Sequence, residues 1–197
     1  MICPESHQHN VVASFTLSLL NKLPSEAVKS IHVGRQQVNY VPDQPVERPE
    51  LDHLTDAILK YERSHIPVNV FAFGSRGCGK TLTVKFLRRL FREADGNTRI
   101  AYVNAREHNT SFKILAHLLS VTPRGVSLSE LFERFRKAFP APTVLVLDEV
   151  DFISEKDRNK EILYLASRCP ENYMLVLLAN NPKFISDIDA RTRSCLH

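Results

Sequence analysis

At 197 residues the chain exceeds the common single-domain size but falls short of two full domains, so one sizeable core plus an extension is expected. Hydrophobic residues at 43% and charged residues at 24% sit near globular averages, which excludes a mainly disordered chain. The 26 basic against 22 acidic residues, a net charge of +4, permit a polyanionic partner without requiring one.

Residues 1–40 show no firm period and read as an N-terminal extension. Within them Val11–Leu23 is broken by Ser14, Thr16, Ser18 and Asn21, with no basic segment before it and no small-residue cleavage site after it. It therefore fits neither a membrane span nor a secretory signal, and a cytoplasmic location is expected. Pro42, Pro45 and Pro49 punctuate an extended segment, and the domain edge is placed near residue 41.

Leu51, Leu54, Ala57, Ile58 and Tyr61 recur at three and four, one face of a helix. Val68–Phe73 is a short apolar run ending at a glycine, and Lys80–Phe91 follows as an amphipathic stretch, giving strand, tight loop, helix. Arg99–Asn104 reads as a second strand and Ser111–Leu119 as a helix. Leu128–Phe139 reads as another helix, with Ser127 and Glu130 at capping-box spacing, stopped by Pro140 and Pro142. Thr143–Leu147 and Tyr173–Leu178 are strands apolar on both faces, separated by a helix from about Asp157 to Arg168. Alternating strands and helices predict an α/β fold with a parallel sheet covered on both sides.

Gly74-Ser75-Arg76-Gly77-Cys78-Gly79-Lys80-Thr81 fits G-x-x-x-x-G-K-[ST] and stands between a predicted strand and a predicted helix, where phosphate binding needs it. Glycines let the backbone curl so that successive N–H groups and the helix N-terminus face phosphates. Lys80 is assigned to the outer phosphates, the Thr81 hydroxyl to magnesium, and Cys78 to a backbone contribution only. Val144–Leu147 followed by Asp148-Glu149 has the form of a Walker B strand, with Asp148 holding hydrated magnesium and Glu149 polarising the attacking water. The strand ending at Ala179 presents Asn180, assigned to the γ-phosphate or the lytic water. Arg191 and Arg193 lie beyond it, where an arginine finger can cross a subunit boundary. Lys85, Arg88, Arg89 and Arg92 form a basic helix face of the kind that is usually solvated.

The cysteines Cys3, Cys78, Cys169 and Cys195 make no C-x-x-C pair and read as reduced thiols. His7-Gln8-His9 with Cys3 is a weak metal pattern in the extension, so no metal beyond magnesium is assigned.

The order of these motifs resembles the archaeal replication-initiator AAA+ ATPases, the family of origin-recognition and cell-division-control proteins, over about Val41 to Leu196. The resemblance adds Val41-Pro42 with Arg48 and Glu50, similar to the segment that lines the adenine, and Tyr102–Arg106, Ser111-Phe112 and Ile114-Leu115, similar to the family's second strand and following helix. It also includes Asn180, Lys183-Phe184 and Ile188–Arg191 with Ser194, similar to the sensor asparagine, short helix and arginine-finger box, so Arg191 is preferred over Arg193. Ala190 stands where proline is common and Pro49 where an acid is usual.

The resemblance implies a three-layer P-loop fold with a central parallel sheet of about five strands. It also implies ATP or ADP with Mg2+ as ligands, contacted by the loop from Gly74 through Leu82. Other AAA+ subunits would receive Arg191 in trans. Double-stranded DNA would be bound through partners or weakly by the chain itself, with a replicative helicase as a further candidate partner and no membrane. Family members continue into a helical lid and a winged-helix domain, whereas this sequence stops at His197, so residues 41–197 are expected to be the nucleotide-binding base without either. Hydrolysis is expected to be slow or partner-dependent. Two alternatives stay open: a non-hydrolysing nucleotide-binding adaptor or remnant, and an AAA+ ATPase of another branch, such as a transposition or signalling switch.

Overall fold

A computed structural model describes residues 49–93, 98–122, 124–140, 142–157, 160–169, 173–194 and 196. The expected extension, the Val41-Pro42 and Arg48 positions and the His7–His9 pattern lie outside the described residues.

Helix α1 (Pro49–Ser64) opens on a proline, whose fixed φ suits a first helical position, and buries Leu51, Leu54, Thr55, Ile58 and Tyr61. Strand β1 (Val70–Phe73) leads through the glycine loop into α2 (Lys80–Glu93), which buries Val84, Phe86, Leu87, Leu90 and Phe91. Strand β2 (Arg99–Asn104) is followed by α3 (Ser111–Leu118) and α4 (Leu128–Ala138). Thr110 and Ser127 cap these helices by accepting from the Lys113 and Glu130 amides. Strand β3 (Thr143–Asp148), a 3-10 turn at Val150–Phe152, α5 (Glu161–Ser167), β4 (Tyr173–Ala179), α6 (Phe184–Asp187) and α7 (Ala190–Ser194) complete the order.

The four strands pair in parallel in the order β1-β4-β3-β2. Among the described residues the sheet has four strands, where about five were expected for the whole fold. The helix expected from Asp157 begins only at Glu161, because Lys160 adopts a left-handed φ of 43° that interrupts helical geometry. β3 and β4 are buried along their whole length, as central strands must be.

Alternation along these strands divides the core into two layers. Val144, Val146, Met174, Val176 and Leu178 face α1 and α2. Leu145, Leu147, Leu175 and Leu177 face α3, α4 and α5, where Ile114, Leu131, Phe135, Ile162 and Leu163 are fully buried. The strand order matters for the site. β1 sits beside β4, while the next strand in sequence, β2, lies at the far edge, so a crevice opens at the C-terminal ends of the strands. Phe73 is in register with Ala179, and Asn104 with Asp148, so the residues that follow them emerge at one edge.

Candidate functional site

Four elements deliver side chains to that crevice. The loop between β1 and α2 turns on two glycines in positive φ, Gly77 at 80° and Gly79 at 94°, which side-chain-bearing residues adopt only with strain. At Gly74 the approach is close rather than the φ unusual: a Cβ there would lie 3.0 Å from the Cys78 Sγ, which would have to shift. The first-turn amides of α2 have no preceding turn to bond to, so they face outward with the positive end of the helix dipole. Lys80 Nζ donates to the carbonyls of Gly74 at 2.7 Å and Ser75 at 3.1 Å, and to Asn180 Oδ1 at 3.2 Å. The loop carbonyls thus hold the ammonium at the mouth of the cradle.

Asp148 is 1% exposed and lies at the end of β3. Its Oδ2 accepts from Thr81 Oγ1 at 2.6 Å and from the Tyr102 hydroxyl at 2.8 Å, while its Oδ1 accepts from the Glu149 amide at 2.9 Å. A buried carboxylate is tolerated only with such partners. Burial first, and the Asp148 charge second, hold the Tyr102 phenol well above its ordinary pKa, so it is a permanent donor. The pairing of a hydroxyl and a carboxylate, both hard oxygen donors, fits magnesium, which is bound by one or two carboxylates plus substrate phosphates.

Glu149 follows in a left-handed conformation, φ 53° and ψ 44°, that costs a non-glycine residue about 1 kcal/mol. Such strain is found at functional positions, and here it turns the chain from β3 into the 3-10 turn at the strand edge. The turn then offers Asp151, whose Oδ1 accepts from the Asn180 backbone N–H at 3.4 Å. Asn180 is therefore held from below by Asp151 and faces Lys80.

Side-chain hydrogen bonds thus pair Lys80 with Asn180 and Thr81 with Asp148, with Glu149 adjacent. Ser75, Arg76, Gly77 and Cys78 are exposed around the loop, and Leu82 is 38% exposed. Arg191 lies elsewhere: its guanidinium stacks over the Tyr164 ring of α5 at 3.8 Å and bonds the Tyr164 hydroxyl. Asp189 steadies the start of α7, which carries Arg191, by accepting from the Thr192 amide at 3.0 Å, the contact that chiefly holds its carboxyl below the usual range.

A cavity of about 660 Å³ opens beside the loop, between the start of α1 and β1, lined by Glu50, His53, Leu54, Phe73, Cys78 and Thr83 among others. Tyr102, Asp151 and His53 were not singled out for the site from sequence. Tyr102 gave no local signal for Asp148, because its approach depends on the pairing of β2 with β3 across a separation of more than forty residues.

A parallel sheet with β4 inserted between the loop strand and the Asp148 strand is the P-loop architecture of the AAA+ kind. The family model for the AAA domain matches residues 68–181, and the chain belongs to that family. Among curated proteins it is related to the ORC1-type DNA replication protein 1 of Sulfurisphaera tokodaii, 32% identical over 175 residues, covering 80% of this chain and 43% of that protein. The ORC1-type DNA replication protein 1 of Sulfolobus acidocaldarius is 31% identical over the same shares of each chain. Among solved structures, the Aeropyrum pernix ORC1 protein in complex with DNA matches with a TM-score of 0.67 and 31% identity, over 81% of this chain and 45% of that one. The chain therefore spans less than half the length of these relatives. Proteins of the AAA+ family bind nucleotide, typically with Mg2+. No helix among the described residues is long and apolar enough to cross a membrane.

Proposed function

We propose that this chain binds ATP with magnesium and hydrolyses it within an assembly of AAA+ subunits serving DNA replication initiation. The observation that carries the reading is the hydrogen-bonded set Lys80–Asn180 and Thr81–Asp148 at the open edge of a P-loop sheet. In it, Lys80 exchanges the Gly74 and Ser75 carbonyls for the outer phosphates, and Thr81 with Asp148 holds the metal. Magnesium, when bound, supplies positive charge at the phosphate oxygens. Glu149 orients the attacking water and takes its proton, while Asn180 fixes the γ-phosphate end with its amide. The apolar cavity beside α1, walled by Glu50, His53 and Leu54, suits the base.

Arg191 reaches none of these groups by a hydrogen bond within its own chain, which supports its role as a finger offered to a neighbouring subunit. Relatedness to ORC1-type DNA replication proteins, one of them solved in complex with DNA, supports the replication direction; on this reading nucleotide state governs assembly on origin DNA, with a replicative helicase as the downstream partner.

Titration with a fluorescent ATP analogue and a phosphate-release assay test the two halves separately. Lys80→Ala removes a charged contact and is expected to weaken nucleotide binding roughly 10- to 100-fold, from about 1.5–3 kcal/mol per such bond. Glu149→Gln should keep binding and lose turnover. Wild-type turnover in Glu149→Gln would sink the hydrolytic assignment, and unchanged affinity in Lys80→Ala would sink the site itself.

A further inference from the structure

The basic helix face read from sequence as ordinary solvated surface lines a groove. Lys85, Arg88, Arg89 and Arg92 project from α2 into a cavity of about 640 Å³ whose other wall carries Tyr102, Asn104 and His117. The floor is β2, the edge strand of the sheet among the described residues. At its upper end the groove reaches Thr81, next to the Asp148 carboxylate.

Cations held this close together repel one another unless something answers their charge. Among the described residues no carboxylate lies within ion-pair distance of Lys85, Arg88 or Arg92, whereas Arg89 pairs with Glu93 at 4.0 Å and lies over the Phe86 ring. Glu107 is the single acid in the lining. Arg88 and Arg92 are exposed, and the spacing of the four at i, i+3, i+4 and i+7 makes them neighbours on one helix face, with adjacent Cβ atoms about 5–6 Å apart. That is a row of point charges rather than a single anion pocket.

The far wall adds ring surface. His117 is exposed, lines the groove and stacks on His108 with 3.9 Å between centroids. A positively charged groove that tracks a backbone, with a ring surface beside it, is the arrangement that holds single-stranded nucleic acid. Arginines outnumber the lysine three to one, and guanidinium forks match phosphate oxygens. The stretch from Thr81 to Arg92 runs about 16 Å along the helix axis, so the groove offers an extended track to successive phosphates.

We propose that this groove binds single-stranded DNA through its phosphates, along α2 and up to the metal end of the nucleotide site. Only the choice of DNA over another polyanionic strand rests on the replication reading above; the groove and its charge stand without it.

The test uses the full chain and a fluorescently labelled oligo-dT, measured by anisotropy across a salt series. Arg88→Glu with Arg92→Glu should weaken binding at least tenfold at about 50 mM salt and reduce the salt slope by about 1.4, since each phosphate contact on a single strand contributes about 0.7. Lys137→Glu with Lys156→Glu changes net charge equally at exposed positions off the groove and should leave both nearly unchanged. Both pairs should keep wild-type affinity for the fluorescent ATP analogue, and Lys80→Ala should lose nucleotide while retaining oligo-dT. Equal losses in the two charge-reversal pairs, an unaffected salt slope in the groove pair, or tighter binding of a duplex than of oligo-dT would each overturn the proposal. Loss of nucleotide binding alone bears on the ATP site and leaves the groove standing.

Discussion

Asp148 accepts three hydrogen bonds on two oxygens, and the donors come from three elements: Thr81 from α2, Tyr102 from β2 and the Glu149 amide from the turn after β3. Replacing one donor changes the orientation of the carboxylate more than the stability of the fold, because Tyr102 keeps its ring packing without the hydroxyl. Tyr102→Phe is therefore expected to weaken magnesium-dependent nucleotide binding about tenfold, the usual scale for an outer hydrogen-bond partner of a metal ligand. Nucleotide affinity measured in excess chelator should not move. An equal loss with and without magnesium would mean that Tyr102 supports the loop and not the metal carboxylate.

At the scale of elements, one carboxylate joins two helix starts. Asp157 Oδ2 accepts from the Ser111 amide at 2.6 Å and the Ser111 hydroxyl at 2.5 Å, and its Oδ1 accepts from the Glu161 amide at 3.4 Å. The Ser111 hydroxyl in turn accepts from the Ile162 amide at 2.9 Å, so the N-termini of α3 and α5 share one negative charge, as their dipoles favour. Asp157→Ala should cost about 2 kcal/mol in urea unfolding, and Ser111→Ala a similar amount. The double variant should cost less than the sum, because both lose the same network; simple additivity would show that the two act separately.

Tyr173 makes a comparable link, its hydroxyl donating to Phe139 just past α4 at 3.2 Å, while its ring lies 5.3 Å from that of Phe135. Burial raises its phenol pKa above the usual value near 10. The folded state thus keeps a proton that the unfolded state releases. Stability from this group is fully present below pH 10 and falls as pH rises beyond it, by up to about 1.4 kcal/mol per pH unit. Tyr173→Phe should flatten that alkaline decline in denaturation curves taken between pH 8 and 11, although it loses the hydrogen bond. An unchanged slope would assign the decline to other groups.

For the whole molecule, the separation of Arg191 from Lys80 and Asp148 carries the consequence. Arg191 is stacked on Tyr164 at the α5 side of the fold and is exposed, available to a neighbour. If it acts in trans, Arg191→Ala and Lys80→Ala should each abolish turnover as single proteins, with the finger variant losing about 10³- to 10⁵-fold. Mixing the two should restore part of it, because each supplies what the other lacks. Turnover of the mixture no higher than that of either variant alone would refute a trans finger. Specific activity should also rise with protein concentration, as an active site assembled from two chains requires.

The loop from Gly74 to Thr81, the Asp148-Glu149 pair and the strand–helix alternation were legible in the residues alone. Backbone curl, helix N-terminus and apolar period are local consequences of residue type and spacing within a dozen positions. The boundary of α5 was not legible, because neither the left-handed Lys160 nor the engagement of Asp157 by Ser111, 46 residues away, leaves a mark in the local apolar period. Only the tertiary structure decided that Tyr102 holds Asp148, that Asn180 meets Lys80, and that the basic face of α2 borders a groove. Each depends on strand order, with β4 placed between β1 and β3 and β2 left at the edge. That order is set by the cooperative burial of two apolar layers, a nonlocal quantity that no segment of the chain encodes by itself.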